Sequence, residues 1–121
     1  MTPHKTKHLK RGECAILSLV LEGHWFNMIS NGSKREEYRD FTKYWTTRIS
    51  NWDLSPRIHI VEFRLGYSAS SPRIAYQASK VMTIAGFRRN FYLSSVSNHP
   101  EWGEPSKPHF VIRLKNPITL I

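Results

Sequence analysis

The sequence predicts an α+β fold: a small mixed β-barrel with two short helices in the N-terminal half of the chain. Three observations lead there. Short β-branched and aromatic runs bounded by turn residues continue to the C-terminus, ending in HFVIRL and ITLI. Two stretches with helical spacing, EGHWFNMISNG and TKYWTTRIS, lie in the first half. No strand–helix–strand rhythm follows that would build a parallel sheet.

Residues 1–13 read as a basic arm carrying Lys5, Lys7, Lys10 and Arg11, ahead of one domain over 14–121. The arm is either a mobile tail or a contact for phosphates, which needs no fixed geometry. His4 and His8 lack a third ligand, so no metal site is expected. CAILSLVL is aliphatic and too short for a free-standing helix, which makes it a buried first strand. Trp25, Phe26, Met28 and Ile29 then recur at helical spacing, and Gly32 follows as a left-handed cap requires. That aromatic face is expected to join the core.

Residues 34–39 run extended. Asp40 or Thr42 caps a second helix in which Phe41, Trp45 and Ile49 repeat every four residues, and the turn NWDLSP ends it. RIHIVEFRL is a strand with His59, Val61, Phe63 and Leu65 on its core face. Its other face begins with Ile58 and Ile60 and finishes with Glu62 and Arg64. SASSP is a loop, and RIAYQASKVMTIAG holds a long strand or a bent pair. FRRNFYLSSVSNHPEWGEPSKP reads as loop-rich, and the closing strands HFVIRL and ITLI are expected to be broken at Asn116-Pro117.

A chain of 121 residues has room for a single core. Its net charge of +9 favours anionic partners, nucleic acid first among them. The lone Cys14 excludes an intramolecular disulfide and a cysteine-cluster zinc site. No apolar run approaches a membrane span, and no signal-type apolar segment directly follows the basic start, so a cytoplasmic monomer is expected.

The stretch GSKREEYRD, residues 32–40, carries the most chemistry. Strand alternation puts Arg35, Glu37 and Arg39 on one face and Lys34, Glu36 and Tyr38 on the other. Lys34 follows the helix-ending glycine by two residues, so its stem can swing toward Glu37 and Arg39. Exposed, such a cluster contributes on the order of 0–1 kcal/mol per pair. Partly buried, it leaves Lys34 and Arg39 as rigid donors to an anion or a base edge.

Gly32-Ser33-Lys34-Arg35-Glu36-Glu37-Tyr38-Arg39 resembles the G-x-K-x-x-E-x-R signature of the activating signal cointegrator homology (ASCH) family, itself similar to the PUA superfamily of RNA-binding β-barrels. HWFNMISNG, TKYWTTRI, FRLGY, HPEWGEP and FVIRL resemble further segments of one branch of that family, in the same order, so the likeness covers roughly residues 15 to 121. The resemblance implies a PUA-like barrel with a cleft beside the motif, suited to RNA or a nucleotide. Some ASCH proteins hydrolyse an acylated cytidine with a lysine and a threonine from G-x-K-x-x-T. Here Lys34 matches that lysine, but Glu37 stands at the threonine position, and a carboxylate does not replace a hydroxyl nucleophile in kind.

Around the motif, Tyr44 and Arg48 lie four apart on the second helix and can stack or hold phosphate, while Trp45 shares the core stripe of Phe41 and Ile49. Arg64 and Tyr67 sit where the third strand's apolar pattern fails on one face, a mild site signal. Glu62 is the best spare carboxylate for a catalytic role, but its expected use is a cross-strand ion pair. Trp102, in the loop with His99 and Glu101, is either a plug over the barrel end or a lid stacking on a base. Arg88 and Arg89 would face opposite ways on a strand, and a phosphate contact needs only one of them.

The expected function is therefore RNA or nucleotide binding through Lys34, Glu37, Arg39, Tyr44, Arg48, Arg64, Tyr67 and Trp102, with no cofactor or metal. A second reading is a hydrolase of a modified nucleoside or RNA with Lys34 and Glu37 as acid/base pair. A third is an adaptor docking through the basic arm and the 87–107 loop, for which no protein partner is indicated.

Overall fold

The structure is a computed structural model that describes residues 6–83, 85–95 and 107–121. Nine strands and two α-helices appear among these residues: β1 (Lys7–Leu9), β2 (Cys14–Leu21), α1 (Gly23–Ser30), β3 (Glu36–Asp40), α2 (Lys43–Leu54), β4 (Ile58–Leu65), β5 (Arg73–Ala78), β6 (Val81–Met82), β7 (Arg88–Arg89), β8 (Phe91–Ser94) and β9 (His109–Leu120). This is the expected α+β class with both helices in the N-terminal half.

Strand β9 is the spine. Its first half pairs antiparallel with both β3 and β8, and its second half pairs with β5 and, in parallel, with β1. From β5 the sheet continues through β4 to β2, which runs parallel to β4. The hydrogen-bonded order is thus an open path, β1-β9-β5-β4-β2, with β3 and β8 branching from β9. No pairing among the described residues closes it into a ring. Helix α2 lies against β2 at the end of that path instead, where Trp52 Nε1 donates to the Ala15 carbonyl at 2.9 Å.

Alternation along β4 divides the interior as its sequence predicts. Val61 and Phe63 face the larger core with Leu17, Leu19, Phe26, Ile29, Ile49, Trp52, Phe110 and Ile112. Ile60 faces a smaller cluster with Leu9, Cys14, Ala75 and Ile118. Burying side chains of this kind contributes about 1.5–3 kcal/mol each, so the central strands are held chiefly by these two apolar layers.

Several elements differ from their sequence reading. Helix α2 does not stop at the NWDLSP turn but runs on to Leu54, because burial of Trp52 rewards another turn before Pro56 halts it. The two closing strands are one, β9. It passes Pro117 by a bulge, where the register against β5 shifts between Tyr76 and Ala78. Residues 87–95, part of a stretch read as loop-rich, contain β7 and β8; Phe91 gains its place by burial opposite Ile112. Leu9 and Arg11 of the basic arm are likewise engaged: Leu9 is buried, and Arg11 forks onto Glu62 at 3.3 and 2.6 Å. No helix among the described residues is long and apolar enough to cross a membrane.

Candidate functional site

Helix α1 and strand β3 meet at the turn that carries Lys34. Gly32 adopts φ 83°, the left-handed conformation that a side chain disfavours, and Asn31 Oδ1 accepts from the Ser33 amide at 2.9 Å. The Lys34 amide then returns to the Met28 carbonyl at 2.9 Å. This geometry turns the Lys34 stem inward instead of along the strand.

Inside, one carboxylate oxygen gathers three donors. Glu37 Oε1 accepts from Lys34 Nζ at 3.3 Å, from Arg39 Nη1 at 2.9 Å and from the Tyr38 amide at 3.0 Å. Glu37 is fully buried, the Lys34 side chain is 8% exposed and that of Arg39 15%. Water therefore screens these pairs little. Glu37 Oε2 is buried and meets no donor. Burial pushes the Lys34 ammonium below its ordinary pKa, Glu37 pulls it back up, and Arg39 adds a small push down. The Tyr38 hydroxyl is pushed up to about 12 by its own burial and by the neighbouring Glu36.

Aromatic rings enclose the cations. Lys34 Nζ lies 4.8 Å from the Trp25 ring centre and 5.4 Å from that of Tyr38. Arg39 and Arg48 each sit 5.1 Å from Trp45, and Arg48 also reaches Tyr44, its Nη1 donating to the hydroxyl at 3.0 Å. A second nitrogen of Arg48 holds the Ser18 carbonyl of β2 at 3.2 Å, so α2 and β2 fix this arginine together.

Two cavities flank the cluster and share Trp25 and Tyr38 as walls. One, of about 720 Å³, is lined by Glu37, Arg39, Tyr44, Trp45, Arg48 and Tyr67, among others. The second, of about 670 Å³, is lined by Met28, Lys34, Arg35, Glu36 and Arg113. Five of the expected residues thus converge on one cavity, and Lys34 joins them from the other through its bond to Glu37. Arg64 lines neither. It follows Glu62 and Ile60 on the face of β4 away from the main core, and the polar end of that face is occupied by the Arg11–Glu62 ion pair. Trp102, His99 and Glu101 lie outside the described residues.

Sequence reasoning assigned Trp25 and Trp45 to the core. Both pack against it, and both also line a cavity. Trp25 had a usable signal: in an eight-residue helix, Phe26 and Ile29 already supply the buried stripe, leaving Trp25 and Met28 in excess. Arg113 and Tyr92 had none, since their contacts to Glu36 span 77 and 56 residues.

The arrangement offers the groups that a planar, polar ligand would need. Rings offer stacking faces, guanidiniums offer directed donors, and a desolvated carboxylate offers an acceptor. No group of three or more metal-ligating side chains forms among the described residues. Comparison of the chain with family models, curated proteins and solved structures finds no match.

Proposed function

We propose that the chain is a PUA-like ASCH domain that binds RNA or a nucleotide in the cleft around Lys34, Glu37 and Arg39. The observation that carries this reading is the convergence of those three side chains, rigidly hydrogen-bonded and nearly buried, beside cavities walled by Trp25, Tyr38, Tyr44 and Trp45. Base–aromatic stacking contributes about 1–3 kcal/mol per base, and a net charge of +9 supplies the salt-dependent attraction to phosphate. The signature Gly32–Arg39 supports the family, and the strand-rich α+β architecture agrees with a PUA-like fold in class. Fluorescence titration with single-stranded RNA and with nucleotides across a salt series tests the proposal. Binding should weaken as salt rises and fall sharply in Lys34→Ala. Absence of binding at low salt, or wild-type affinity in a folded Lys34→Ala, refutes it.

A hydrolytic reading has one observation in its favour. Burial lowers the Lys34 pKa, as a general base requires, and Glu37 is within hydrogen-bonding distance to exchange a proton with it. Turnover of acylated nucleosides or RNA that is lost in Lys34→Ala supports that chemistry. Equal turnover by the variant assigns it to a contaminant.

A further inference from the structure

The two cavities differ in charge although a single layer of side chains divides them. Among the described residues, the larger is lined by two guanidiniums, Arg39 and Arg48, and three carboxylates, Glu22, Glu37 and Asp40. The smaller is lined, among the described residues, by three cations, Lys34, Arg35 and Arg113, and by the carboxylate of Glu36. The aromatic side chains are divided unequally too: Tyr44, Trp45 and Tyr67 belong to the larger cavity alone. Lys34 and Glu37, on opposite sides, are joined at 3.3 Å, so the partition is about one side chain thick.

Resting on the nucleotide-binding reading above, we infer that the ligand straddles this partition. Its base occupies the Glu37 cavity, and its phosphate lies in the Arg35–Arg113 cavity. A base fits the first side because its faces stack on rings, and because Glu37 is a pure acceptor with one oxygen lacking a donor. That acceptor selects bases that present amino groups, as adenine, cytosine and guanine do, over uracil. A phosphate fits the second side because Arg35 is exposed and spends one nitrogen on the Lys115 carbonyl, its others meeting no acceptor among the described residues. Arg113 adds a second exposed guanidinium, held in place by Glu36 at 3.0 Å. The recognised unit is thus a base joined to a phosphate, free or within a strand.

Calorimetry on the whole chain with nucleosides, their monophosphates and a short RNA oligonucleotide tests this division. A monophosphate should bind about tenfold tighter than its nucleoside at low salt. The Arg35→Ala/Arg113→Gln variant should erase that advantage and leave nucleoside affinity unchanged. Uridine monophosphate should bind weakest. An oligonucleotide tighter than the monophosphate identifies a strand as the source, and equal affinity identifies the free nucleotide; both support the division. If the advantage survives in that variant and disappears in Arg48→Ala, the phosphate lies on the other side and the inference is overturned, while nucleotide binding stands. If no nucleoside, nucleotide or oligonucleotide binds, the binding reading itself fails.

Discussion

Replacing Glu37 by alanine should destabilise the protein by about 3–5 kcal/mol, the range for removing one partner of a buried ion pair. The structure places Glu37 in that class. Its side chain is fully buried, and the Lys34 and Arg39 side chains bonded to it are only 8% and 15% exposed. The Tyr38 amide loses its acceptor as well. For a chain of this size each kcal/mol moves the melting temperature by roughly 3–5 °C, so a drop of about 9–25 °C is expected. Lys107–Asp40 is the built-in control. It has the same 3.3 Å separation, but its side chains are 39% and 50% exposed, so Asp40→Ala should cost only about 0–1 kcal/mol. Urea unfolding followed by circular dichroism reads both differences. The triple variant Lys34→Met/Glu37→Leu/Arg39→Met should recover most of the lost stability, because uncharged side chains of similar length owe no desolvation cost. It should bind no ligand. A loss below about 1 kcal/mol in Glu37→Ala would refute the claim that these charges are buried and coupled.

Gly32→Ala should cost about 1 kcal/mol in urea unfolding: nothing lies within 4 Å of the added methyl, so the loss is the left-handed strain alone. Alkaline stability carries the sign of Tyr38. Its folded pKa of about 12 lies above the ordinary tyrosine value of 10.0, so the folded state holds the proton longer. Its contribution is complete below pH 10 and is lost as pH rises from 10 toward 12. Tyr38→Phe should therefore flatten that decline in thermal melts; an unchanged slope would contradict it. His59 acts at the other end. Burial lowers its pKa below 6.5, so the unfolded chain takes up the proton first and stability falls as pH drops below 6.5, a dependence His59→Leu should weaken. Arg11→Ala should cost more than Arg35→Ala by about 1 kcal/mol, with half-exposure of Arg11 limiting the loss, since it strands the buried Glu62.

Local features of the chain were legible where a single residue type has a single physical use. Gly32 announced its left-handed turn. Of the two candidate caps Asp40 and Thr42, Thr42 is the one used, accepting from the Trp45 amide at 3.2 Å, and the Val61/Phe63 face of β4 announced the core. The Lys34–Glu37–Arg39 cluster was legible for the same reason, because all three lie within six residues of a known turn. What escaped depends on distant partners. Strand β8 is short and mostly unremarkable in pattern, and only its pairing with β9 makes it a strand. Arg64 was read as a site residue because polarity interrupted an apolar face. That interruption accommodates Arg11, 51 residues from Glu62. Closure of a barrel depends on which edges meet, and strand pattern alone does not encode that meeting.

The position of Glu37 argues that its charge is kept for something other than stability. It sits in the middle of β3, opposite Ile112, where neither residue has any exposure to solvent. A leucine there would add apolar burial and leave no desolvated oxygen. A lone glutamate would be intolerable, so the chain brings in Lys34 from the turn and Arg39 from the same strand face. Both bond the same oxygen, and the other is left without a donor. A cluster built only to neutralise the carboxylate would engage both oxygens, as Arg11 does for Glu62 on the far side of the sheet. The contrast between these two buried glutamates in one molecule supports the proposal that one is a structural ion pair and the other belongs to a binding site. Glu62 has both oxygens bonded by one fork, while Glu37 keeps an acceptor in reserve beside an aromatic-walled cavity.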